Sequence, residues 1–161
     1  IKISKRDEEI IKEAMKFEFT EFALSFVYDG KEAEALKALI GNRRSIAKVE
    51  RVEAMPHITE IGKRFNEIWF CRGDMGAEAG LYKLAELQKE FVSKFKDISV
   101  PKYLAGQVLE HMTSFPQPTR SEAVHLYDIM KEGFDGIVLS DETAIGKDPL
   151  AVAEFLRTFR P

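Results

Sequence analysis

Short apolar runs alternate with longer amphipathic segments along this chain. The runs are almost continuously apolar, which is typical of strands that are covered on both faces of a sheet. They lie at Phe22–Val27, Ser45–Glu50, Glu67–Cys71, Val100–Ala105 and Gly136–Leu139. The segments between them carry apolar residues at helical spacing. These predicted helices lie at Lys5–Phe17, Lys31–Ile40, Glu53–Phe65, Leu81–Phe95, Thr119–Lys131 and Asp148–Phe159.

The alternation of strands and helices predicts an α/β fold with a parallel sheet. A complete eight-stranded barrel needs roughly 250 residues, whereas this chain has 161. About five βα units therefore fit either an open doubly wound sheet or part of a parallel (β/α)8 barrel. The pattern alone leaves both architectures open.

Composition narrows the class of protein. A net charge of −3 gives no reason to expect nucleic acid or an acidic membrane surface as a partner. No apolar stretch is long enough to span a bilayer. The single cysteine, Cys71, excludes an internal disulfide framework and suits a reducing compartment, so we expect a cytoplasmic protein. The chain begins with Ile1 rather than Met, and we expect it to be a piece of a larger protein.

Polar residues follow the predicted strands where a parallel α/β fold presents its active site. Lys48 and Glu50 are two residues apart on one strand, so their side chains share a face. Because buried charges are costly without a partner or a function, this pair taken alone favours a structural ion pair.

Asp74 changes that interpretation. It follows the next strand, so we expect its carboxylate to converge with that of Glu50. Two carboxylates, completed by waters and substrate oxygens, suit Mg²⁺ or Mn²⁺. Gly73 and Gly76 flank Asp74 and would let backbone amides approach an anion. An ordinary Gly-Asp turn is the alternative.

Other reactive residue types point to packing rather than chemistry. No two of the three histidines, His57, His111 and His125, are three or four residues apart, so we expect surface or packing roles for them. Cys71 lies in an apolar strand, where a buried and inert thiol is expected. The Pro116–Pro118 loop carries Arg120, which fits either a site or an interface.

Six motifs together resemble those of the pyruvate kinase family. The segments ALSFV, AKVER and FCRGDMGAE are similar to the family's ASFV, SKIEN and VARGDLGVE. Further along, GQVLEHM, PQPTRSE and LSDETAIGKDPLAV resemble TQMLESM, PRPTRAE and LSGETAKGKYPVEAV. The motifs occur in the family's order and cover nearly the whole chain. The resemblance favours a partial barrel over an open sheet.

The resemblance implies a phosphotransferase that moves the phosphoryl group of phosphoenolpyruvate to ADP, giving pyruvate and ATP in glycolysis. Lys48 matches the catalytic lysine, and Glu50 and Asp74 match the ligands of Mg²⁺ or Mn²⁺. The implied substrate-binding residues are Lys48, Arg72, Gly73, Asp74 and Gly106, with Gln107, Ser140 and Glu142 at the periphery of the site.

Three departures from the motifs bear on this chemistry. Gly106 replaces a threonine whose hydroxyl contacts substrate and is implicated in protonating the enolate, which puts proton delivery in doubt. Asp141 replaces the glycine of LSGETA. His125 and Asp128 stand where the family's SDVANAV has aspartate and asparagine.

The resemblance also implies which part of a larger protein this chain represents. We expect residues 1–161 to be the C-terminal part of the catalytic barrel domain, covering its fourth to eighth strands, without the lid and regulatory domains. A K⁺ site would use residues not present here, and family members are usually homotetramers. Expressed alone, such a fragment should leave two sheet edges unpaired and associate or misfold. The alternatives are a metal-dependent pyruvate or oxoacid aldolase or lyase, and a catalytically weakened barrel fragment.

Overall fold

A computed structural model describes residues 3–159 of the chain. Five strands form one sheet in sequence order. Their bounds are β1 Phe22–Leu24, β2 Ser45–Val49, β3 Glu67–Cys71, β4 Lys102–Ala105 and β5 Gly136–Val138. β1 pairs in parallel with β2, and β2 pairs in parallel with β3. These pairings and the intervening helices confirm the predicted α/β fold, which is consistent with part of a parallel barrel.

Eight α-helices lie within the described residues. They are α1 Lys5–Ala14, α2 Glu32–Ile40, α3 Ile58–Arg64, α4 Arg72–Ala79, α5 Leu81–Ser93, α6 Arg120–Glu132, α7 Asp141–Ala144 and α8 Pro149–Thr158. Three 3₁₀ turns add Val52–His57, Phe95–Asp97 and Glu110–Thr113. No helix in this part of the chain combines the length and apolar character that a bilayer crossing requires.

The chain divides into two compact units, the first ending at Tyr103 and the second beginning at Leu104. In the first unit, β2 and β3 lie at the centre of the core, and most of their residues are buried. Ile46 and Ala47 of β2 stand opposite Glu67 and Ile68 of β3. This burial explains why both strands read as continuous apolar runs.

The longest helix of the second unit, α6, begins at a capping box. The Thr119 hydroxyl accepts the backbone N–H of Glu122, and the Glu122 carboxylate accepts the backbone N–H of Thr119 at 2.7 Å. The helix ends at Gly133, which adopts the left-handed conformation with φ 92°. Leu126 and Ile129 of this helix are buried.

Two helices lie in segments for which the sequence predicts neither a helix nor a strand. Residues 72–79 form α4 and residues 141–144 form α7, each just beyond a predicted strand. The segment before α3 also differs, because Pro56 lies inside a 3₁₀ turn instead of the first turn of a long helix. Short helices with glycine or proline carry a weak periodic signal, which explains these errors.

Strand β1 ends at Leu24, three residues earlier than predicted. Phe26 ends the extended run because its backbone is left-handed, with φ 56°. This conformation is uncommon for a residue other than glycine. The early end of β1 places Ser25 and Phe26 beside the end of β2, where the candidate site lies.

Candidate functional site

Lys48 and Glu50 form a partly buried ion pair at the end of β2. The Lys48 ammonium is 2.7 Å from Oε1 of Glu50. The Glu50 side chain is only 5% exposed, whereas that of Lys48 is 28% exposed. Lys48 also donates to the Ser25 hydroxyl at 3.3 Å. The alternation of side chains along the strand brings the two residues together, as their spacing predicts.

The second oxygen of the Glu50 carboxylate is held by the backbone of the neighbouring strand end. Oε2 accepts the N–H of Phe26 at 2.9 Å. The left-handed backbone of Phe26 is sparsely populated, and conformations of this kind are enriched at functional sites. The Phe26 ring lies beside the next charged residue, with the Arg51 guanidinium 5.8 Å from the ring centroid. Glu50 is therefore oriented from two directions.

Asp74 reaches the same place from the end of β3. It is the third residue of α4, which begins directly after Cys71. A carboxylate in the first turn of a helix interacts favourably with the helix dipole. Asp74 and Glu50 line one open cavity of about 340 Å³. The complete lining of this Glu50–Asp74 cavity is Phe26, Glu50, Arg51, Glu53, Asp74 and Glu78.

Electrostatics keep Lys48 charged. Burial lowers the pKa of this ammonium, but the hydrogen bond and the negative charge of Glu50 raise it more. Cys71 and Asp74 contribute further in the same direction, so the pKa lies above its ordinary value. Lys48 is thus a permanent cation at neutral pH, held next to two carboxylates.

The Cys71 thiol is buried between these charges. Burial and the negative charges of Glu50 and Asp74 raise its pKa to about 12, and Lys48 lowers it only in part. The thiol therefore stays protonated at neutral pH, because the thiolate would lie in an apolar and negatively charged environment. Its burial confirms the expectation from the sequence.

Two other residues of α4 were predicted to bind substrate. Arg72 is the first residue of the helix, and burial lowers the pKa of its guanidinium. A Cβ placed on Gly73 would meet no atom within 4 Å, so the backbone there is open to approach. Gly76 has a different role, because a Cβ there would lie 3.1 Å from Cδ2 of Leu84 on α5. The close packing of α4 on α5 accounts for this glycine.

The remaining predicted site residues lie in the second unit. Gly106 and Gln107 follow β4 with left-handed backbones, at φ 96° and 52°. Ser140 precedes α7, and its carbonyl accepts the Thr143 hydroxyl at 3.0 Å. The family motif has threonine at the position of Gly106. Threonine rarely adopts this left-handed conformation, which glycine adopts without strain.

Glu142 is the most unusual residue of the second unit. Its side chain is fully buried, and neither carboxylate oxygen has a hydrogen-bond partner among residues 3–159. The negative charge of Glu142 acts on the nearby carboxyl group of Glu110. Burial raises the pKa of Glu110, and the charges of Asp141, Glu142 and Glu122 raise it further. The neighbouring negative charges thus disfavour the ionised form of Glu110.

Histidine packing agrees with expectation for two residues. His111 stacks on Phe115 with ring centroids 4.2 Å apart, and His57 packs against Tyr28 at 5.2 Å. His125 lines a shallow cleft on α6 together with Arg120. Across residues 3–159, no three side chains of the histidine, cysteine and carboxylate types come together as a metal-binding group. Any cation at the Glu50–Asp74 cavity would therefore rely on other ligands as well.

Comparison with known proteins decides the family. A family model described as "Pyruvate kinase, barrel domain" matches residues 2–152. This chain belongs to the pyruvate kinase barrel-domain family. Pyruvate kinase from Thermotoga maritima is 36% identical over 96% of the chain, and that from Thermococcus litoralis is 33% identical over 96%. Plastidial pyruvate kinase 3, chloroplastic, from Arabidopsis thaliana is 32% identical over 97%.

The chain spans about a third of the length of these relatives, covering 34%, 33% and 28% of them respectively. The family match confirms the resemblance that the six motifs carry. It does not favour the aldolase or lyase alternative. Within the pyruvate kinase barrel domain, the first unit brings Lys48, Glu50 and Asp74 to one place, whereas Gly106, Gln107, Ser140 and Glu142 belong to the second unit.

Four residues of the Glu50–Asp74 cavity escaped prediction from the sequence. Phe26 lies inside the predicted strand Phe22–Val27. Arg51 directly follows the predicted strand Ser45–Glu50, and Glu53 lies in the turn beyond. Glu78 is one helical turn after Asp74, and its carboxylate accepts the N–H of Val52 at 3.3 Å. Its place in the cavity follows from the i, i+4 spacing only when residues 72–79 are assigned as a helix.

Proposed function

We propose that this chain contributes the metal-binding and phosphoryl-transfer residues of a pyruvate kinase, which moves the phosphoryl group of phosphoenolpyruvate to ADP. The observation that carries the proposal is the shared cavity of Glu50 and Asp74, with the Lys48 ammonium 2.7 Å from Glu50. Family membership supports this chemistry over other reactions that use a pair of carboxylates.

The donor set of the cavity fits a divalent cation of the Mg²⁺ or Mn²⁺ type. Such ions prefer oxygen ligands and are often held by one or two carboxylates, with waters and substrate phosphates as the other ligands. Each Glu50 oxygen accepts one hydrogen bond, which leaves lone pairs free on both. Glu50 and Asp74 would hold the ion. When bound, it would neutralise charge on phosphoryl and enolate oxygens.

The Lys48 ammonium would also stabilise the negative charge on the phosphoryl and enolate oxygens. Its ammonium is partly exposed and is fixed by Glu50 and Ser25, so it can face a ligand without a large rearrangement. A preorganised cation stabilises negative charge that develops during phosphoryl transfer. Arg72 and the backbone of Gly73 and Asp74 would bind the substrate carboxylate side.

Four residues of the second unit keep their roles as predictions from the family motifs. Gly106 matches a substrate-binding position, and Gln107, Ser140 and Glu142 match positions at the periphery of the family's site. Because Gly106 has no hydroxyl, protonation of the enolate would draw on water or a neighbouring group. The chain as a whole would be the C-terminal part of the catalytic barrel domain, with a homotetramer as the assembly and K⁺ bound by other residues.

The cytoplasm is the proposed compartment, on the basis of the single cysteine and the glycolytic activity. Two of the curated relatives are described as plastidial, so the same family also works in chloroplasts.

The test is an assay of ATP formation from phosphoenolpyruvate and ADP by the intact protein that contains this chain, with and without Lys48→Met. The matched control is Lys83→Met, because Lys83 pairs with Glu86 on the exposed surface of α5. We expect Lys48→Met to lower turnover on the order of a hundredfold to ten-thousandfold. Affinity for Mn²⁺ should stay nearly unchanged. Equal turnover of Lys48→Met and the control would refute the role given to Lys48.

A further inference from the structure

Arg51 has a guanidinium whose hydrogen-bonding capacity is unused. It directly follows Glu50 and lines the Glu50–Asp74 cavity with a side chain that is 31% exposed. Guanidinium carries five N–H donors. In the part of the chain that the structure describes, none of them makes a hydrogen bond, and Nε is buried without a partner. The nearest carboxylate oxygen, on Glu53, is 3.9 Å away, which is beyond hydrogen-bond distance.

Other arginines of the chain are used differently. Four of them have a carboxylate or carbonyl oxygen within hydrogen-bond distance. These pairs are Arg43 with the carbonyl of Phe17, Arg44 with Glu67, Arg64 with Glu34 and Arg157 with Glu154. Arg51 is instead held by an aromatic ring, which attracts a cation without occupying its donors. The donors therefore remain available to a ligand.

The position of the ring is fixed by the same contacts that orient Glu50. The N–H of Phe26 donates to Glu50, and the left-handed backbone at Phe26 sets the direction of the side chain. The Arg51 guanidinium lies 5.8 Å from the centroid of that ring. A cation–π contact thus places Arg51 next to the proposed metal ligand.

The charge of the cavity defines what Arg51 can bind. Four carboxylates and one guanidinium line the space, so an anion alone would be repelled. A divalent cation held by Glu50 and Asp74 would offset most of this charge. A guanidinium beside that cation then favours a ligand with several anionic oxygens, such as a phosphoryl group, which it contacts in a bidentate manner.

We propose that Arg51 binds the phosphoryl oxygens of the substrate at the Glu50–Asp74 cavity, an inference that rests on the proposed function. The family motif SKIEN has asparagine at this position, so Arg51 adds a cation to the site relative to that motif. Its role is binding of the phosphoryl group and not of the carboxylate end of the substrate.

The experiment measures ligand binding by calorimetry, in the presence of Mn²⁺, to the intact protein that contains this chain. The variants are Arg51→Asn, which restores the motif residue, and Arg51→Lys, which keeps the charge but loses the planar fork. The matched control is Arg157→Asn, because Arg157 pairs with Glu154 on α8. The ligands are phosphoenolpyruvate and pyruvate, which differ by the phosphoryl group.

We expect Arg51→Asn to weaken phosphoenolpyruvate binding by about tenfold to a hundredfold, the range for losing hydrogen bonds to a charged group. Mn²⁺ and pyruvate binding should change by less than about twofold, and Arg51→Lys should recover part of the loss. If Arg51 had only a structural role, Arg51→Asn would weaken the binding of all three ligands together. An unchanged affinity for phosphoenolpyruvate, an equal loss for pyruvate, or no phosphoenolpyruvate binding by the unmodified chain would overturn the inference.

Failure of the proposed function looks different. If Mn²⁺ does not bind, or binds equally well without Glu50 and Asp74, the metal site is wrong. In that case inorganic phosphate becomes the probe, measured without metal in the Glu50→Gln, Asp74→Asn double variant, which removes two of the four carboxylate charges that repel an anion. Equal phosphate binding by this variant with Arg51 and with Arg51→Asn, including no binding by either, would then reject the role of Arg51 by itself.

Discussion

The ion pair between Lys48 and Glu50 should show a large coupling free energy in a double-mutant cycle. The cycle uses Lys48→Met, Glu50→Gln and the double variant, each of which roughly conserves side-chain volume. At 2.7 Å and an effective dielectric constant of about 20, the Coulomb attraction is about 6 kcal/mol, which is an upper limit. Fully exposed pairs contribute only about 0.2–1 kcal/mol.

Burial places this pair between those limits. Lys48→Met would leave the Glu50 carboxylate, 5% exposed, with the Phe26 N–H as its main partner, at a cost of about 2–3 kcal/mol. Glu50→Gln would leave Lys48, 28% exposed, able to turn towards water, at a cost of about 1 kcal/mol. We expect the double variant to recover about 1.5–2 kcal/mol of the summed loss.

The assay is urea-induced unfolding of the four proteins at neutral pH, followed by the fluorescence of Trp69. A repeat at about 0.5 M salt separates screening from geometry, because a partly buried pair should keep most of its coupling. A coupling free energy below about 0.5 kcal/mol would show that the two charges do not depend on each other. In that case the ion pair with Glu50 would not hold the Lys48 ammonium in place.

Further predictions concern backbone, pH and reactivity. Gly106→Thr should lower the free energy of unfolding by about 1 kcal/mol or more, because the backbone at this position is left-handed. Gly73→Ala should raise it by about 0.5–1 kcal/mol, because Gly73 lies in a helix and an added Cβ meets no other atom. Thermal unfolding tests both. The folded-state pKa of Glu110 is raised, so its stabilising contribution is full below about pH 4 and is lost as the pH rises through the folded value. Glu110→Gln should remove that slope from urea-unfolding stabilities at pH 4–7, and an identical slope would contradict it. Cys71, with a pKa of about 12, should react with iodoacetamide at pH 8 far more slowly in the folded chain than in urea, and equal rates would show that the thiol is accessible.

The strands at the centre of the first unit could be predicted because their environment leaves a simple signal. β2 and β3 are covered on both faces, so nearly every residue of each run is apolar. The charged residues Lys48 and Glu50, which interrupt the apolar run, were equally informative. Charges in a buried strand need partners, and a spacing of two residues places both side chains on the same face of the strand.

The helix α4 could not be predicted from periodicity, and one residue of the cavity was missed with it. Its eight residues include Gly73 and Gly76, which are weak helix formers, and they follow a strand without a side-chain cap. Packing on α5, through the contact of Gly76 with Leu84, stabilises the helix instead. Tertiary contacts of this kind override local propensity and leave no local pattern. Glu78 was lost for the same reason.

The conformation of Phe26 was also beyond prediction. Phenylalanine has no intrinsic preference for the left-handed region, so only the surrounding contacts explain it. Two of those contacts are visible: the N–H donated to Glu50 and the guanidinium beside the ring. The residue thus couples the carboxylate and Arg51 in a way that no single position in the sequence reveals.

Stability alone does not account for the ion pair at the end of β2. Replacing a buried pair by apolar residues of similar volume is often neutral or stabilising, because both charges lose hydration when buried. A purely structural pair at this position would therefore offer little advantage over two hydrophobic side chains. Glu50 faces an open cavity with Asp74, and Lys48 stays partly exposed beside it, which leaves both charges available to a ligand. A site that must hold a cation and stabilise anionic oxygens needs both charges, even where the fold alone would not.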